Sequence, residues 1–236
     1  MTVQVLDQYQ ESSQKLQKNE LFDGAYIRPL VYLGYGVMGL YHKDAPVKVS
    51  VSAWEWGAYL GEDGLNKGIR VKTSSFTRHF VNSSLVRAKA SGYYINSILA
   101  NQEVTANGYD EALLLDTEGY VSEGSGENIF IVNNGIIYTP DLASCLDGIT
   151  RNSIMQIAKD LGYELREKRI TRDEVYSADE AFFTGTAAEV TPIRELDDRT
   201  IGDGKRGPIT EKIQKTYFDA VYGRSDKYKS WLTYVK

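Results

Sequence analysis

Gly119-Tyr-Val-Ser-Glu-Gly-Ser-Gly-Glu-Asn-Ile-Phe130 carries an acid, Glu123, straight into a run of small residues, Gly124, Ser125 and Gly126. Upstream, the apolar run Ala112-Leu-Leu-Leu115 stops at Asp116-Thr-Glu-Gly119, which has turn composition. Downstream, Ile129-Phe-Ile-Val132 crosses Asn133-Asn-Gly135 and returns as Ile136-Ile-Tyr138. Strand, glycine-rich elbow, strand, Asn-Gly turn and strand predict a meander. An acid inside a glycine elbow suits a ligand that approaches the backbone closely and meets a fixed negative charge. By itself the elbow reads first as a solvated bulge with a surface glutamate, so the rest of the chain has to decide.

Composition narrows the options. With 236 residues the chain can bury one large core and still form a small second lobe. A net charge of -5, with no basic stripe, argues against nucleic acid. The single Cys145 excludes an internal disulfide and fits a reducing compartment. Two histidines at unrelated positions, His42 and His79, make a histidine metal site unexpected, so no metal is assigned. No apolar run approaches ~20 residues and the N-terminus lacks a signal-peptide core, a cytoplasmic profile.

Periodicity predicts an amphipathic helix over 3–19, then a turn at Asp23-Gly24. Tyr26-Ile-Arg-Pro-Leu-Val-Tyr-Leu33 is a strand that Pro29 confines to an edge or a bulge. Gly34 to Gly39 forms a hairpin tip, and Val47, Val49, Val51 and Ala53 alternate as a half-buried strand. The aromatic, glycine-punctuated stretch that follows is read as a linker. The expected organisation is a partial small domain over 1–53, a linker over 54–66 and a large domain over 67–236.

In the large domain, Ile69–Thr73 is a strand and about 91–107 a helix with Ile95, Ile98, Leu99 and Gln102 on one face. Lys89 stands just before that helix and, by position alone, is a surface lysine. A helix of about 150–161 has the stripe Ile154, Ile157, Ala158 and Leu161; Tyr163–Ile170 is read as a strand. Thr171-Arg-Asp-Glu174 fits a capping box. Glu180–Thr184 and Thr191–Leu196 add strands, and about 208–222 adds the last helix. This mixed order gives an α+β class with no simple βαβ succession.

Two corners could bind an anion. Gly148-Ile149-Thr150 enters a helix, and Gly185-Thr186-Ala187-Ala188 closes a strand; both offer backbone N–H groups and a hydroxyl. Each could equally be a structural cap. Taken together, the parts have a common chemistry. A lysine amine can form a Schiff base with an aldehyde cofactor, a carboxylate can keep a pyridine nitrogen protonated, and a phosphate tail needs backbone donors.

Six segments in order carry a resemblance: Ala25-Tyr-Ile-Arg-Pro-Leu30, Trp56-Gly-Ala-Tyr-Leu-Gly61, Lys89-Ala-Ser-Gly-Tyr-Tyr94, Ser122-Glu-Gly-Ser-Gly-Glu-Asn-Ile-Phe130, Gly148-Ile-Thr-Arg151 and Gly185-Thr-Ala-Ala-Glu-Val-Thr-Pro192. The chain resembles the fold-type IV pyridoxal-phosphate enzymes, specifically the branched-chain amino-acid aminotransferases. That resemblance implies a truncated small α/β lobe beside a mixed-sheet pseudo-barrel. It implies transamination of leucine, isoleucine or valine with 2-oxoglutarate on pyridoxal 5′-phosphate, in a homodimer or higher homo-oligomer.

By resemblance, Lys89 is the Schiff-base lysine and proton shuttle, Tyr94 bonds the cofactor's phenolic oxygen and Glu123 faces its ring nitrogen. Ile149, Thr150 and Thr186 hold the phosphate, and Leu146 lies against the ring. Gly126, Thr186 and Ala187 border the substrate; Tyr26, Trp56 and Tyr59 wall its side-chain pocket; Arg28 receives a distal carboxylate; Met38 and Leu40 reach a neighbouring subunit. Family members carry a further stretch before residue 1, which supplies an arginine to the phosphate, a role that neither Arg28 nor Arg87 is expected to fill. The alternatives within the fold are a D-amino-acid transaminase and an aminodeoxychorismate lyase, and outside catalysis an inactive dimerising or cofactor-binding remnant.

Overall fold

The computed structural model describes residues 20–21, 25–41, 43–57 and 59–234, so the predicted helix over 3–19, the Asp23-Gly24 turn and His42 lie outside the described residues. The described residues up to 57, with 232–234, form one compact unit, and those from 59 to 231 another.

The first unit is built on a hairpin. β1 (Tyr26–Leu33) pairs antiparallel with β2 (Val47–Trp54), from Tyr26 opposite Trp54 to Leu33 opposite Val47. Val49, Val51 and Ala53 of β2 are half-buried and alternate with exposed residues, as their spacing predicts, whereas Val47 at the start of the strand is exposed. Pro29, opposite Val51, is tolerated because β1 has only one partner strand among the described residues. The connecting loop is closed where the Gly34 N–H donates to the Pro46 carbonyl at 2.7 Å. At the hairpin base, the Arg28 guanidinium lies 5.2 Å from the Tyr26 ring, 5.4 Å from Trp54 and 5.9 Å from Trp56, a cation held by three aromatic faces.

The second unit opens with α1 (Gly61–Lys67), a short helix inside the stretch read as linker. Its two glycines hide the helical signal, whereas Glu62 and Asp63 in the first turn and Lys67 in the last suit the helix dipole. There follow β3 (Ile69–Thr73), a 3-10 turn (Ser91–Tyr93), α2 (Tyr94–Ala106), β4 (Glu111–Leu115), β5 (Val121–Gly124), β6 (Asn128–Asn133) and β7 (Ile136–Thr139). Then come α3 (Ile149–Asp160), β8 (Leu165–Glu167), α4 (Arg172–Tyr176), β9 (Glu180–Gly185), β10 (Glu189–Leu196), β11 (Arg199–Thr200), α5 (Pro208–Val221) and a closing 3-10 helix (Asp226–Trp231).

The strands make one mixed sheet in the order β5-β4-β3-β10-β9-β6-β7-β8, with β11 on β10. β3 is parallel to both β10 and β4, and β7 is parallel to β8; the other pairs are antiparallel. One apolar layer centres on Ile69, Leu113, Ile129, Phe183 and Ile193. A second packs Phe130 and Phe182 (rings stacked, 5.1 Å apart) against Ile154, Ile157 and Ile213 of α3 and α5. The predicted capping box is present: the Thr171 N–H donates to Glu174 Oε2 at 2.9 Å.

The structure differs from the sequence reading in three further places. The meander is interrupted: β4 pairs β5 and β6 pairs β7, but β5 and β6 are not neighbours, because β6 pairs β9. The elbow is therefore a crossing from one end of the sheet to its middle, closed where the Gly124 N–H donates to the Glu127 carbonyl at 2.7 Å. The strand expected over 163–170 shrinks to the three residues of β8. The face of α2 that carries Ile95, Ile98 and Leu99 is exposed, while Ser97, Ala100 and Val104 are buried. Small residues on that side let the helix backbone come close to the sheet.

Candidate active site

The elbow buries Glu123 at the end of β5, only 4 % exposed. Its Oε2 accepts from the Leu146 N–H at 3.0 Å and from Asn128 Nδ2 at 3.4 Å. Its Oε1 lies 2.8 Å from Arg78 Nε, an ion pair too oblique for a hydrogen bond, so both atoms remain without a hydrogen-bond partner. Burial pushes the Glu123 carboxyl above the usual carboxylate range; Arg78, the Leu146 N–H and Lys89 pull it back. Arg78 is anchored by its own N–H to the Leu115 carbonyl (2.7 Å) and by its guanidinium to Ser97 Oγ (3.2 Å).

Lys89 precedes the 3-10 turn that opens α2, and the helix start brings Tyr94 back towards it: Nζ to the phenol oxygen is 2.7 Å. Gly148 caps α3 in an extended conformation, and a Cβ there would fall 2.2 Å from Asn128 Oδ1. Only glycine lets the helix start sit against the side chain that also donates to the Leu146 carbonyl (2.9 Å). Asp147, beside it, is held by Asn152 (2.9 Å) and Arg87 (3.1 Å), which keep its carboxyl below the usual range. From the other side, the end of β9 brings Thr184, Gly185 and Thr186.

These elements enclose one cleft of about 280 Å³. Of the residues singled out in the sequence, Lys89, Tyr94, Glu123, Gly126, Leu146, Ile149, Thr150 and Thr186 all line it; Ala187, the next residue in the turn, does not. Tyr59, just ahead of α1, feels Glu127, Glu111 and Tyr94; burial first, then these charges, push its phenol up to about 12. Tyr26, Arg28 and Trp56 belong to the hairpin unit, where Met38 and Leu40 are fully exposed.

Sequence reasoning missed Arg78, Glu127 and Asn128; Arg87, which it gave no part in holding the phosphate, lines the same cleft. No local pattern marks Arg78, which meets Glu123 only because β4 lies between β3 and β5. Asn128 was within reach, standing in the same motif as Glu123.

The donor set fits pyridoxal phosphate. Glu123 Oε1 and Thr184 Oγ1 are buried acceptors without hydrogen-bond partners, and both residues line the cleft. A lysine amine and a phenol stand at one part of it, and a helix start with a threonine-bearing turn at another.

Comparison with known proteins agrees. Residues 7–196 match the amino-transferase class IV family. The branched-chain-amino-acid aminotransferase of Pseudomonas aeruginosa is 58% identical over 230 residues, 98% of this chain and 75% of that protein. Its counterpart in Escherichia coli K12 is 40% identical, over 98% of this chain and 76% of the relative. Among solved structures, the branched-chain amino acid aminotransferase from Thermobaculum terrenum in its PLP-bound holo form superposes with a TM-score of 0.89 at 36% identity, covering 96% of this chain and 74% of the other. The E. coli enzyme superposes with a TM-score of 0.93 at 40% identity, covering 98% and 76%. This chain belongs to the class IV aminotransferases, among the branched-chain-amino-acid aminotransferases.

Proposed function

We propose that the chain transfers the amino group of leucine, isoleucine or valine to 2-oxoglutarate with pyridoxal 5′-phosphate as cofactor. The observation that carries this reading is that Lys89 and Glu123 line one cleft together with the helix start Gly148-Ile149-Thr150. The relatives' names favour the branched-chain reading over a D-amino-acid transaminase or an aminodeoxychorismate lyase. Bound there, the cofactor supplies an electron sink for the charge that develops at the substrate Cα.

The protein's share is positional and acid–base. Lys89 Nζ would hold the cofactor's aldehyde carbon, and as a free amine it would be the base for the proton at the substrate Cα. Tyr94, 2.7 Å away, orients that amine and donates to the cofactor's phenolic oxygen. Glu123 would face the ring nitrogen and favour its protonation, and Arg78 favours the charged form of Glu123. The N–H groups of Ile149 and Thr150, with Thr186, hold the phosphate. Leu146 backs the ring, while Gly126, Thr186, Ala187 and Tyr59 border the substrate. Substrate roles for Tyr26, Arg28, Met38, Leu40 and Trp56 rest on the family resemblance.

We also propose a cytoplasmic homo-oligomer. The exposed apolar face Ile95, Ile98 and Leu99 supports an oligomer. No helix among the described residues is long and apolar enough to cross a membrane.

The test is the purified protein with pyridoxal phosphate, 2-oxoglutarate and, in turn, leucine and D-alanine. Glutamate formed from leucine, and none from D-alanine or by the Lys89→Ala variant, is the expected outcome. A protein that binds the cofactor at Lys89 but turns over neither donor would be the inactive remnant instead.

A further inference from the structure

Beneath the cleft lie two more buried carboxyls that this mechanism does not use. Glu111, at the start of β4, is fully buried, and Glu127, just past the elbow, is 4 % exposed and lines the cleft. Among the described residues neither forms an ion pair. Glu111 accepts from the Ala112 N–H (2.6 Å) and from Asn101 Nδ2 (3.3 and 3.4 Å), and Ser125 of the elbow favours its charged form. Glu127 Oε2 accepts from the Gly126 N–H at 3.0 Å. Gly124 makes room for it, since a Cβ there would fall 2.6 Å from that oxygen. The elbow thus turns its Ser125 and Gly126 donors inward, onto two acids, without supplying a cation.

Two uncompensated carboxylates cannot both stay charged at close range in a buried site; such a pair binds a proton in common. Burial pushes both carboxyls up, Glu127 the further, with Glu111 and then Glu123 adding to the rise and the Gly126 N–H and Lys89 opposing it. The charged and titratable groups facing the pair are Glu123 on β5, with Arg78 behind it, Lys89 and Tyr94 at the head of α2, and Tyr59 ahead of α1.

We propose that Glu127 is a positioning residue that shares one proton with Glu111 at neutral pH and, on releasing it, places an added negative charge under the cleft, setting the upper pH limit at which the site takes an anionic ligand. The proposal rests on the functional reading above for the identity of that ligand.

The experiment compares wild type, Glu127→Gln and Glu111→Gln, all free of cofactor. Infrared difference spectra at neutral pH should show the C=O stretch of a protonated carboxylic acid in the wild type, titrating away at alkaline pH and lost in Glu127→Gln. Binding of 4-deoxypyridoxine 5′-phosphate, which lacks the aldehyde and cannot bond Lys89, is then followed by protein fluorescence from neutral to alkaline pH. Wild-type affinity should fall relative to Glu127→Gln by about ten-fold, as one added charge about 10 Å away produces at an effective dielectric of about 20. Glu111→Gln should behave as Glu127→Gln does, and it stands in if that variant fails to fold. Absence of the acid band in the wild type, or tight binding with parallel pH curves in all three proteins, overturns the role of Glu127. No binding of the analogue to any of them overturns the functional reading itself, while the infrared result still decides the shared proton.

Discussion

Replacing Arg78 with methionine tests the electrostatic core of the site. The change keeps most of the side-chain volume but leaves Glu123, with a side chain 6 % exposed, without the cation 2.8 Å away. Removing one partner of a buried pair costs about 3–5 kcal/mol. Glu123 retains the Leu146 N–H and Asn128 on its other oxygen, so the low end, about 3 kcal/mol, applies. For a chain of this size that is a fall in Tm of roughly 6–12 °C.

The pH dependence fixes the mechanism. Glu123 already titrates above its unfolded range, so its contribution to stability is complete below the unfolded pKa and is lost as pH rises through the folded one. Arg78 limits that loss. The Arg78→Met deficit should therefore be small near pH ~4 and grow towards neutrality. Urea unfolding of wild type, Arg78→Met, Glu123→Gln and the double variant, across that range, is the assay. The double variant should recover part of the loss, with a coupling of at least about 1.5 kcal/mol. A deficit independent of pH, or additive single effects, would refute the reasoning.

Other expectations follow from the same geometry. Lys89→Ala should fold as the wild type does yet lose borohydride-fixable pyridoxal phosphate, read by mass spectrometry; retention of the label would move the reactive amine elsewhere. Gly148→Ala forces a methyl onto Asn128 Oδ1, costing about 1–3 kcal/mol. Because Asn128 also tethers Leu146 and Glu123, the variant should bind cofactor at least several-fold more weakly, as an absorbance titration would measure; undiminished affinity would show that Asn128 can give way. Thr171→Ala removes the capping-box hydroxyl and should cost about 1 kcal/mol in urea unfolding, with no change in cofactor affinity.

Much of this was legible before any coordinates. The elbow, the Gly148-Ile-Thr helix start and the capping box declare themselves because each is local: a few neighbouring residues fix the backbone and state its purpose. Arg78 was not legible, since what makes it functional is the parallel pairing of β3 with β4 and the burial of Ser97 beside it. Glu127 stands in the same motif as Glu123, but its burial depends on β6 pairing with β9, which no local pattern announces. The meander expected through the elbow is broken for the same reason. Periodicity identified α2 but not which side meets the sheet, because Ile95, Ile98 and Leu99 suggest a core-facing stripe as strongly as an outward one.

The seam between β3 and β10 has a consequence for how the molecule comes into being. Thr73 bonds Asp197 twice, each at 2.7 Å, across 124 positions of chain, and Tyr176 secures the same carboxylate. Loop closure over such a span is slow, and parallel strands wait for it. The parts of the cleft all precede that strand in synthesis, but on this reasoning they converge only once it arrives. A ribosome-bound fragment ending before Ile193 should therefore capture no pyridoxal phosphate, however completely its motifs have been translated.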